Sequence, residues 1–321
     1  MGARGGGELI QGHIDVAGVR RSYWLARAAR RPGHPPPPLL IALHGTGMDG
    51  RALAWLTGLA RRGPAAGITT VFPDGWKGGW HSARPPAGQL DLDDARFLAD
   101  LTSRLEGDGA ARSWPVFLAG ISSGARYAEH LARNGLLPVA GLFLAAGTTL
   151  EDSRRRLPVP QLRASMILVL GTGDPAAPYG GGQLARSGVT GLIRRRRAVR
   201  QGELPGEDFV AGAEDLVADW ARANGIPGAS LGRPSIEELP AAPGELPVTR
   251  KSWTRPGCHP VTLYRVDGGG AGWPGGPQLA PSRGIGLVPR QLDATGLLLR
   301  MAERETALAY GHPALDAGWT G

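Results

Sequence analysis

The stretch Pro115-Val-Phe-Leu-Ala-Gly-Ile-Ser-Ser-Gly-Ala-Arg-Tyr-Ala-Glu-His130 constrains this chain more than any other. An apolar run is followed by a serine with a glycine two residues to either side, and then by a segment of helical character. A strand that must turn at once into a helix has no room for side chains at those two flanking positions, so glycine is required there. The serine hydroxyl is thereby pushed out at the carboxyl edge of a sheet. In a chain with 13 Ser and 51 Gly among 321 residues, chance alone supplies roughly 0.3 such five-residue patterns. The pattern therefore gains its weight from context: Val116 to Ala119 reads as a short buried strand and Ala125 to Leu131 as a helix. Ser122 is the candidate nucleophile.

The rest of the chain repeats the alternation. Ile10 to Ala28 carries two β-like pieces joined by Gly18, an antiparallel lead-in to a sheet. Pro35 to Pro38 form a stiff spacer, and Leu39 to Leu43 is a continuous apolar run of the kind expected for a central parallel strand covered on both faces. It enters the loop His44-Gly-Thr-Gly-Met-Asp-Gly50. A helix over Arg51 to Arg62, a strand over Ile68 to Phe72 and a helix over Asp91 to Leu105 precede the serine turn. Strands Ala140 to Ala146 and Ser165 to Leu170 follow it, then a helix from Ala213 to Asn224. Strands Val248 to Thr254 and Val261 to Val266 come next, and Asp293 caps a last helix reaching about Thr306. This order predicts an α/β architecture: one mostly parallel, doubly wound sheet with helices on both faces, whose ligands bind beyond the carboxyl ends of the strands. A single domain over 1–305 is expected, with variable or lid loops at about 180–211 and 226–247 and a loose tail over 306–321.

Composition narrows the partners. A net charge of +8 suggests nucleic acid or an anionic membrane surface, but the basic residues are nearly all Arg, with lysine only at Lys77 and Lys251. That bias tracks a GC-rich coding sequence better than a binding surface, so neither nucleic acid nor membrane is expected as a partner. Cys258 is the single cysteine, so no intrachain disulfide can form. No signal peptide or membrane span is read, which fits a cytoplasmic protein or a secreted one with its leader removed. The triplet Asp91, Asp93, Asp94 reads as capping of a helix N-terminus before it reads as a metal site. The run Arg194 to Arg197 reads as a solvated loop or lid before an acidic-ligand clamp, and the glycine-rich stretches lack the spacing of phosphate cradles.

Acyl transfer at a serine needs a hydroxyl, a base, a carboxylate that orients the base, and N–H donors for the oxyanion. Ser122 supplies the first. Asp174 in Gly171-Thr-Gly-Asp-Pro175 lies just past the end of a later strand and supplies the carboxylate. The donors are the backbone N–H groups of Ser123, after the nucleophile, and of Thr46 in His44-Gly-Thr-Gly47.

Six blocks in order carry a resemblance: Leu43-His-Gly-Thr-Gly47, Phe72-Pro-Asp-Gly75, Asp93-Asp94, Gly120-Ile-Ser-Ser-Gly124, Gly171-Thr-Gly-Asp-Pro175 with Pro178-Tyr179, and Gly268-Gly-Gly-Ala-Gly-Trp-Pro-Gly-Gly-Pro277. Together, over roughly residues 12 to 305, they resemble the polyhydroxybutyrate depolymerase and feruloyl-esterase-like serine hydrolases. The resemblance implies an α/β-hydrolase fold and hydrolysis of hydroxyalkanoate, hydroxycinnamoyl or related esters. It requires no metal or organic cofactor and no partner beyond a small or oligomeric ester; the number of subunits stays open. It also implies a histidine directly after the glycines of the last block, where this chain has Ala271. A methyl group accepts no proton, so turnover is expected to fall by about 10⁴ to 10⁶. The chain then reads as an inactivated form of an esterase or, alternatively, as a non-catalytic binding protein on the same fold. His44 belongs to the oxyanion loop and His259 lies at the wrong end of its strand, leaving His81 as the stand-in base. Trp80, Trp273 and His44 are expected to face substrate, with Trp76 equally suited to loop packing.

Overall fold

A computed structural model describes residues 8–30, 32–80, 93–106, 115–184, 209–226 and 234–311. The chain begins with an antiparallel pair, β1 (Ile10–Val16) and β2 (Val19–Ala26), followed by β3 (Leu39–Leu43). Helices α1 (Gly50–Thr57) and α2 (Leu59–Ala65) lead to β4 (Thr69–Pro73), and α3 (Asp94–Glu106) leads to β5 (Val116–Ile121). Then come α4 (Ser123–Arg133), β6 (Gly141–Ala145), α5 (Glu151–Arg156) and β7 (Ser165–Gly171). A two-stranded ribbon of β8 (Gly182–Gln183) and β9 (Phe209–Val210) precedes α6 (Ala213–Ala223). The chain continues through β10 (Ser235–Leu239), β11 (Val248–Trp253), β12 (Val261–Val266), the short α7 (Ser282–Ile285) and α8 (Ala294–Ala309).

Ten strands form one sheet in the order β1-β2-β4-β3-β5-β6-β7-β12-β11-β10. The six from β4 to β12 run parallel, and the outer strands at both edges are antiparallel. The doubly wound α/β-hydrolase fold expected from the sequence is present. Two-residue periodicity explains why apolar runs without polar interruption suit its centre. Leu39, Ile41 and Leu43 of β3 join α3, α4 and α6 on one face, while Leu40 and Ala42 join α1, α2 and α8 on the other. The same division places Leu118 opposite Phe117 and Ala119, and Leu142 and Leu144 opposite Phe143. Each fully buried Leu or Phe contributes about 1.5–3 kcal/mol, so both layers are held by the sheet they share. Among the described residues no helix is long and apolar enough to cross a membrane.

The structure corrects several expectations. The helix expected over Arg51 to Arg62 is two helices, because Gly58 takes φ 65° and ends α1 in a left-handed cap. Asp93 does cap α3, accepting from the N–H groups of Ala95 and Arg96 at 3.0 and 3.1 Å. Asp94 lies in the first turn of α3 as expected, and its carboxylate is in addition fully buried against the Arg21 guanidinium, which also lies 4.1 Å over the Phe97 ring. The region expected to be irregular from 226 to 247 contains β10, an edge strand paired to β11 and tethered by Glu237 to Arg250 and by Glu238 to Thr249. Its exposed, charged sequence lacks the apolar signal of a central strand. Helix α8 runs to Ala309, four residues into the stretch expected to be loose tail. Asp91, His81 and Arg194 to Arg197 lie outside the described residues, as does most of the loop from 180 to 211.

Candidate active site

The parallel register brings the loops after β3, β5, β7 and β12 to one edge. Leu43 pairs with Gly120, Ile121 with Ala145, Ala145 with Val169 and Gly171 with Val266, so the strands end nearly level. Ser122 sits at the tip of β5 with φ 55° and ψ −119°, a conformation that costs a non-glycine residue about 1–3 kcal/mol. Its backbone is clamped on both sides: its N–H donates to the Ala145 carbonyl at 2.9 Å, and its carbonyl accepts from the Arg126 N–H at 3.1 Å. A Cβ at Gly120 would lie 2.4 Å from the Gly124 oxygen, which is the steric demand the sequence pattern encodes. The half-buried serine therefore stands at a strained strand-to-helix turn, at the positive end of the α4 dipole.

The loop after β3 lies against this turn. A Cβ built on Gly45 would be 3.5 Å from the Ser122 Cβ, and the Thr46 hydroxyl donates to the Ser123 hydroxyl at 2.9 Å. The loop is folded back by Met48 N–H to the Gly45 carbonyl at 3.1 Å and tied outward by Gly47 N–H to the Gly78 carbonyl at 3.0 Å. Among the described residues neither the Thr46 nor the Ser123 N–H is given to a partner. The loop that carries Thr46 thus lies against the serine turn.

His44 is not a substrate-facing residue. It is 0% exposed, its Nδ1 donates to the Gly45 carbonyl at 2.8 Å, and its Nε2 accepts from the Gly75 N–H at 2.9 Å. With both ring nitrogens engaged, burial holds its pKa below the ordinary histidine value, and the neutral ring braces the loop. Trp80 is committed to the same task. Its Nε1–H donates to the His44 carbonyl at 2.8 Å, and its ring lies 4.9 Å from that of His44 and stacks 5.5 Å from Tyr127. Trp273, also expected on the pocket wall, is a core residue: 2% exposed, packed 5.3 Å from Phe143, with its N–H on the Thr295 hydroxyl at 2.9 Å. A large ring and a single donor satisfied internally outweigh any pull toward the site. Trp76 is half-buried in a single 3-10 turn, Trp76–Gly78.

Asp174 is 9% exposed. Its Oδ1 accepts from the N–H groups of Ala176 and Ala177 at 2.7 and 3.0 Å, whereas its Oδ2 is buried with no hydrogen-bond partner among the described residues. Burial raises its pKa above the usual carboxylate value; the two N–H donors and the Arg126 charge pull the other way. An acidic oxygen taken out of water without a donor is costly, and sites of this kind deserve a chemical explanation.

The loop holding Ala271 is laced directly to the loop holding Asp174. Gly173 N–H donates to the Gly269 carbonyl at 2.8 Å, Gly268 N–H to the Thr172 hydroxyl at 2.9 Å, and Thr172 N–H to the Val266 carbonyl at 2.9 Å. A Cβ at Gly171 would fall 2.0 Å from the Gly269 oxygen, so only glycine permits this approach. Ala271 itself is half-buried. His259 is not part of this edge. It precedes β12 at the opposite end and pairs with Glu305 at 3.3 Å. Sequence reasoning missed two participants. Arg126, four residues after Ser122, was marked only by that i, i+4 spacing. The Ala146-Gly147 turn, with Ala146 at φ 50° and Gly147 pressed against the Ser122 carbonyl, carried no motif. A cavity of about 590 Å³ lies to one side, between α5, the β8–β9 ribbon and α6; neither Ser122 nor Asp174 lines it.

No protein-family profile matches the chain. The chain is 29% identical over 293 residues to a Nocardia uniformis subsp. tsuyamanensis protein named "Putative esterase NocK", covering 87% of this chain and 78% of that one. Among solved structures, the acetyl xylan esterase from Aspergillus awamori superposes with a TM-score of 0.52 at 12% identity, covering 82% of this chain and 94% of the other, a likeness of fold. The strained serine turn, the strand order and this likeness agree on an α/β-hydrolase fold, and the chain is similar in sequence to a protein named as an esterase.

Proposed function

We propose that the chain is the scaffold of a serine esterase that works through an acyl-enzyme, with Ser122 as nucleophile, Asp174 as the orienting acid, Thr46 and Ser123 as oxyanion donors, and position 271 as the seat of the base. The ester is a hydroxyalkanoate oligomer, a hydroxycinnamoyl ester or a related acyl ester. With Ala271 in that seat, the form described by this sequence is inactivated. The observation that carries this reading is the Asp174 Oδ2, buried without a donor among the described residues on a loop laced to the Ala271 loop.

In the complete reaction a base at 271, held by Asp174, takes the Ser122 proton as the hydroxyl oxygen attacks the ester carbonyl. The developing oxyanion is met by the Thr46 and Ser123 N–H groups. The alkoxide leaves with the proton, and water repeats the sequence to release the acid. This chain supplies every part except the proton acceptor.

The test is Ala271→His, assayed on p-nitrophenyl esters, on hydroxybutyrate oligomers and on alkyl hydroxycinnamates. A gain in kcat/KM of about 10⁴ or more over the unsubstituted chain is expected. A folded Ala271→His protein that hydrolyses no ester would overturn the proposal and favour a binding protein.

A further inference from the structure

We infer that Met48 is a specificity-determining residue of this site: its thioether forms the wall against which an apolar acyl group lies once the ester carbonyl stands at Ser122. The inference rests on the functional reading above and names the acyl class, an alkyl or aryl group without a hydroxyl near the carbonyl. Trp80 and Trp273 are not that wall, since both rings are committed to internal packing.

A Cβ placed on Gly45 would lie 3.5 Å from the Ser122 Cβ and 3.7 Å from the Met48 sulfur, so the sulfur stands within about 7 Å of the serine Cβ. Gly45 is not in the left-handed region, so its backbone does not demand glycine. What glycine provides here is the absence of a side chain between nucleophile and sulfur. Met48 carries the one large apolar side chain of loop 44–50, and it is half-buried. Its buried side packs on the apolar cluster that contains Ile121, the residue before the nucleophile, and Ala271 packs on the same cluster. A single apolar cluster therefore underlies the donor loop, the serine turn and position 271.

The anchoring suits a wall that adapts. The Met48 N–H donates to the Gly45 carbonyl at 3.1 Å, and the Asp49 carboxylate accepts from the Ala52 N–H at 2.7 Å at the start of α1. The backbone is thereby fixed on both sides of the Met48 Cα, while an unbranched side chain with three rotatable bonds fits its tip to the surface it meets. A thioether donates no hydrogen bond and accepts only weakly. It gives dispersion contact to a hydrocarbon chain or a ring, and it leaves a hydroxyl on the same group without a partner, which costs free energy out of water. Butyryl is therefore favoured over 3-hydroxybutyryl, and a benzoyl ring is accepted.

The first arm of the test uses the full chain as it stands, labelled with 13C-methyl methionine and titrated with ethyl benzoate. Its four methionines are Met1, Met48, Met166 and Met301; the last two are 1% and 2% exposed and serve as internal references. The ring current of the bound ester is expected to move the Met48 signal, identified by its loss in Met48→Leu, to a saturating limit while the two buried signals stay still. The second arm uses Ala271→His, whose kcat/KM for p-nitrophenyl butyrate is expected to exceed that for p-nitrophenyl 3-hydroxybutyrate by about fivefold or more. Met48→Gln in the same background is expected to bring the two within about twofold, because the amide gives the hydroxyl a partner, whereas Met48→Leu retains the preference. A Met48 signal that stays still up to the solubility of the ester overturns the inference. So does an active Ala271→His protein without the butyrate preference, or one whose preference Met48→Gln leaves unchanged. If Met48 responds and Ala271→His hydrolyses no ester, the wall stands and the esterase reading falls; if Ala271→His is active and Met48 stays still, the reverse holds.

Discussion

Gly124 packs so closely on Leu43 that a methyl carbon at 124 would lie 2.2 Å from the Leu43 carbonyl oxygen, and 2.5 Å from that of His44. The first turn of α4 and the end of β3 touch backbone to backbone, and this contact sets the distance between the serine turn and the donor loop. Gly124→Ala must push α4 off the sheet, because carbonyls in a parallel ladder cannot yield as a flexible side chain would. A loss of about 3 kcal/mol or more is expected in urea unfolding. Gly284→Ala, where the added carbon meets nothing within 4 Å, is expected to stay within about 0.5 kcal/mol.

Arg133 is fully buried at the far end of the same helix. It donates to Glu129 at 2.7 Å, to Asp219 of α6 at 3.3 Å and to the Leu157 carbonyl at 2.7 Å. Glu129 also accepts from the Trp220 N–H at 3.2 Å, yet keeps one buried oxygen without a partner among the described residues. Arg133→Ala strands Glu129 and leaves Asp219 only its more exposed arginines. Breaking a buried pair from one side costs about 3–5 kcal/mol. Arg222→Ala, at 57% side-chain exposure and 3.4 Å from Asp219, is expected to cost under about 1 kcal/mol in the same melt.

The buried neutral His44 gives the fold a pH dependence whose sign is fixed. In the unfolded chain its pKa is about 6.5; in the fold, burial lowers it, with the Gly45 carbonyl opposing. The folded state therefore binds fewer protons below neutrality, so the contribution is complete above about pH 6.5 and is lost as the pH falls. His130, lowered for the same reason, adds in the same direction. Thermal melts from pH 7.5 down to 5 should show stability declining, and His44→Asn should flatten part of that slope. At neutral pH the same substitution is expected to cost about 1–3 kcal/mol, from the Gly75 N–H and Gly45 carbonyl it leaves without the imidazole.

What could be read from the sequence followed one rule: backbone demands leave marks, and side-chain directions do not. Unbroken apolar runs such as Leu39 to Leu43 marked the central strands, and the two glycines about Ser122 marked the turn, because no other residues satisfy those geometries. Asp174 could be placed past a strand end. Trp273 and Trp80 could be placed only on their loops; which way each ring turned was decided by Thr295, Phe143, Tyr127 and the His44 carbonyl, contacts between distant stretches of chain. Asp94 could be placed in the first turn of α3, but its burial against an arginine on β2 left no mark, because a carboxylate at a helix start satisfies the same pattern whether or not it faces water. Strand β10 was hidden because edge strands are polar by necessity.

Strands β3 and β5 are paired residue for residue, from Leu39 with Val116 to Leu43 with Gly120, whereas Ala271 hangs from β12, three places across the sheet. On the proposed reading, the half of the machinery that would polarise a carbonyl is therefore indexed to one ladder, and the half that would handle protons is mounted on another. Either module can be altered while its counterpart keeps its alignment, which makes a scaffold of this design tolerant to the exchange of one chemical function for another at a single codon.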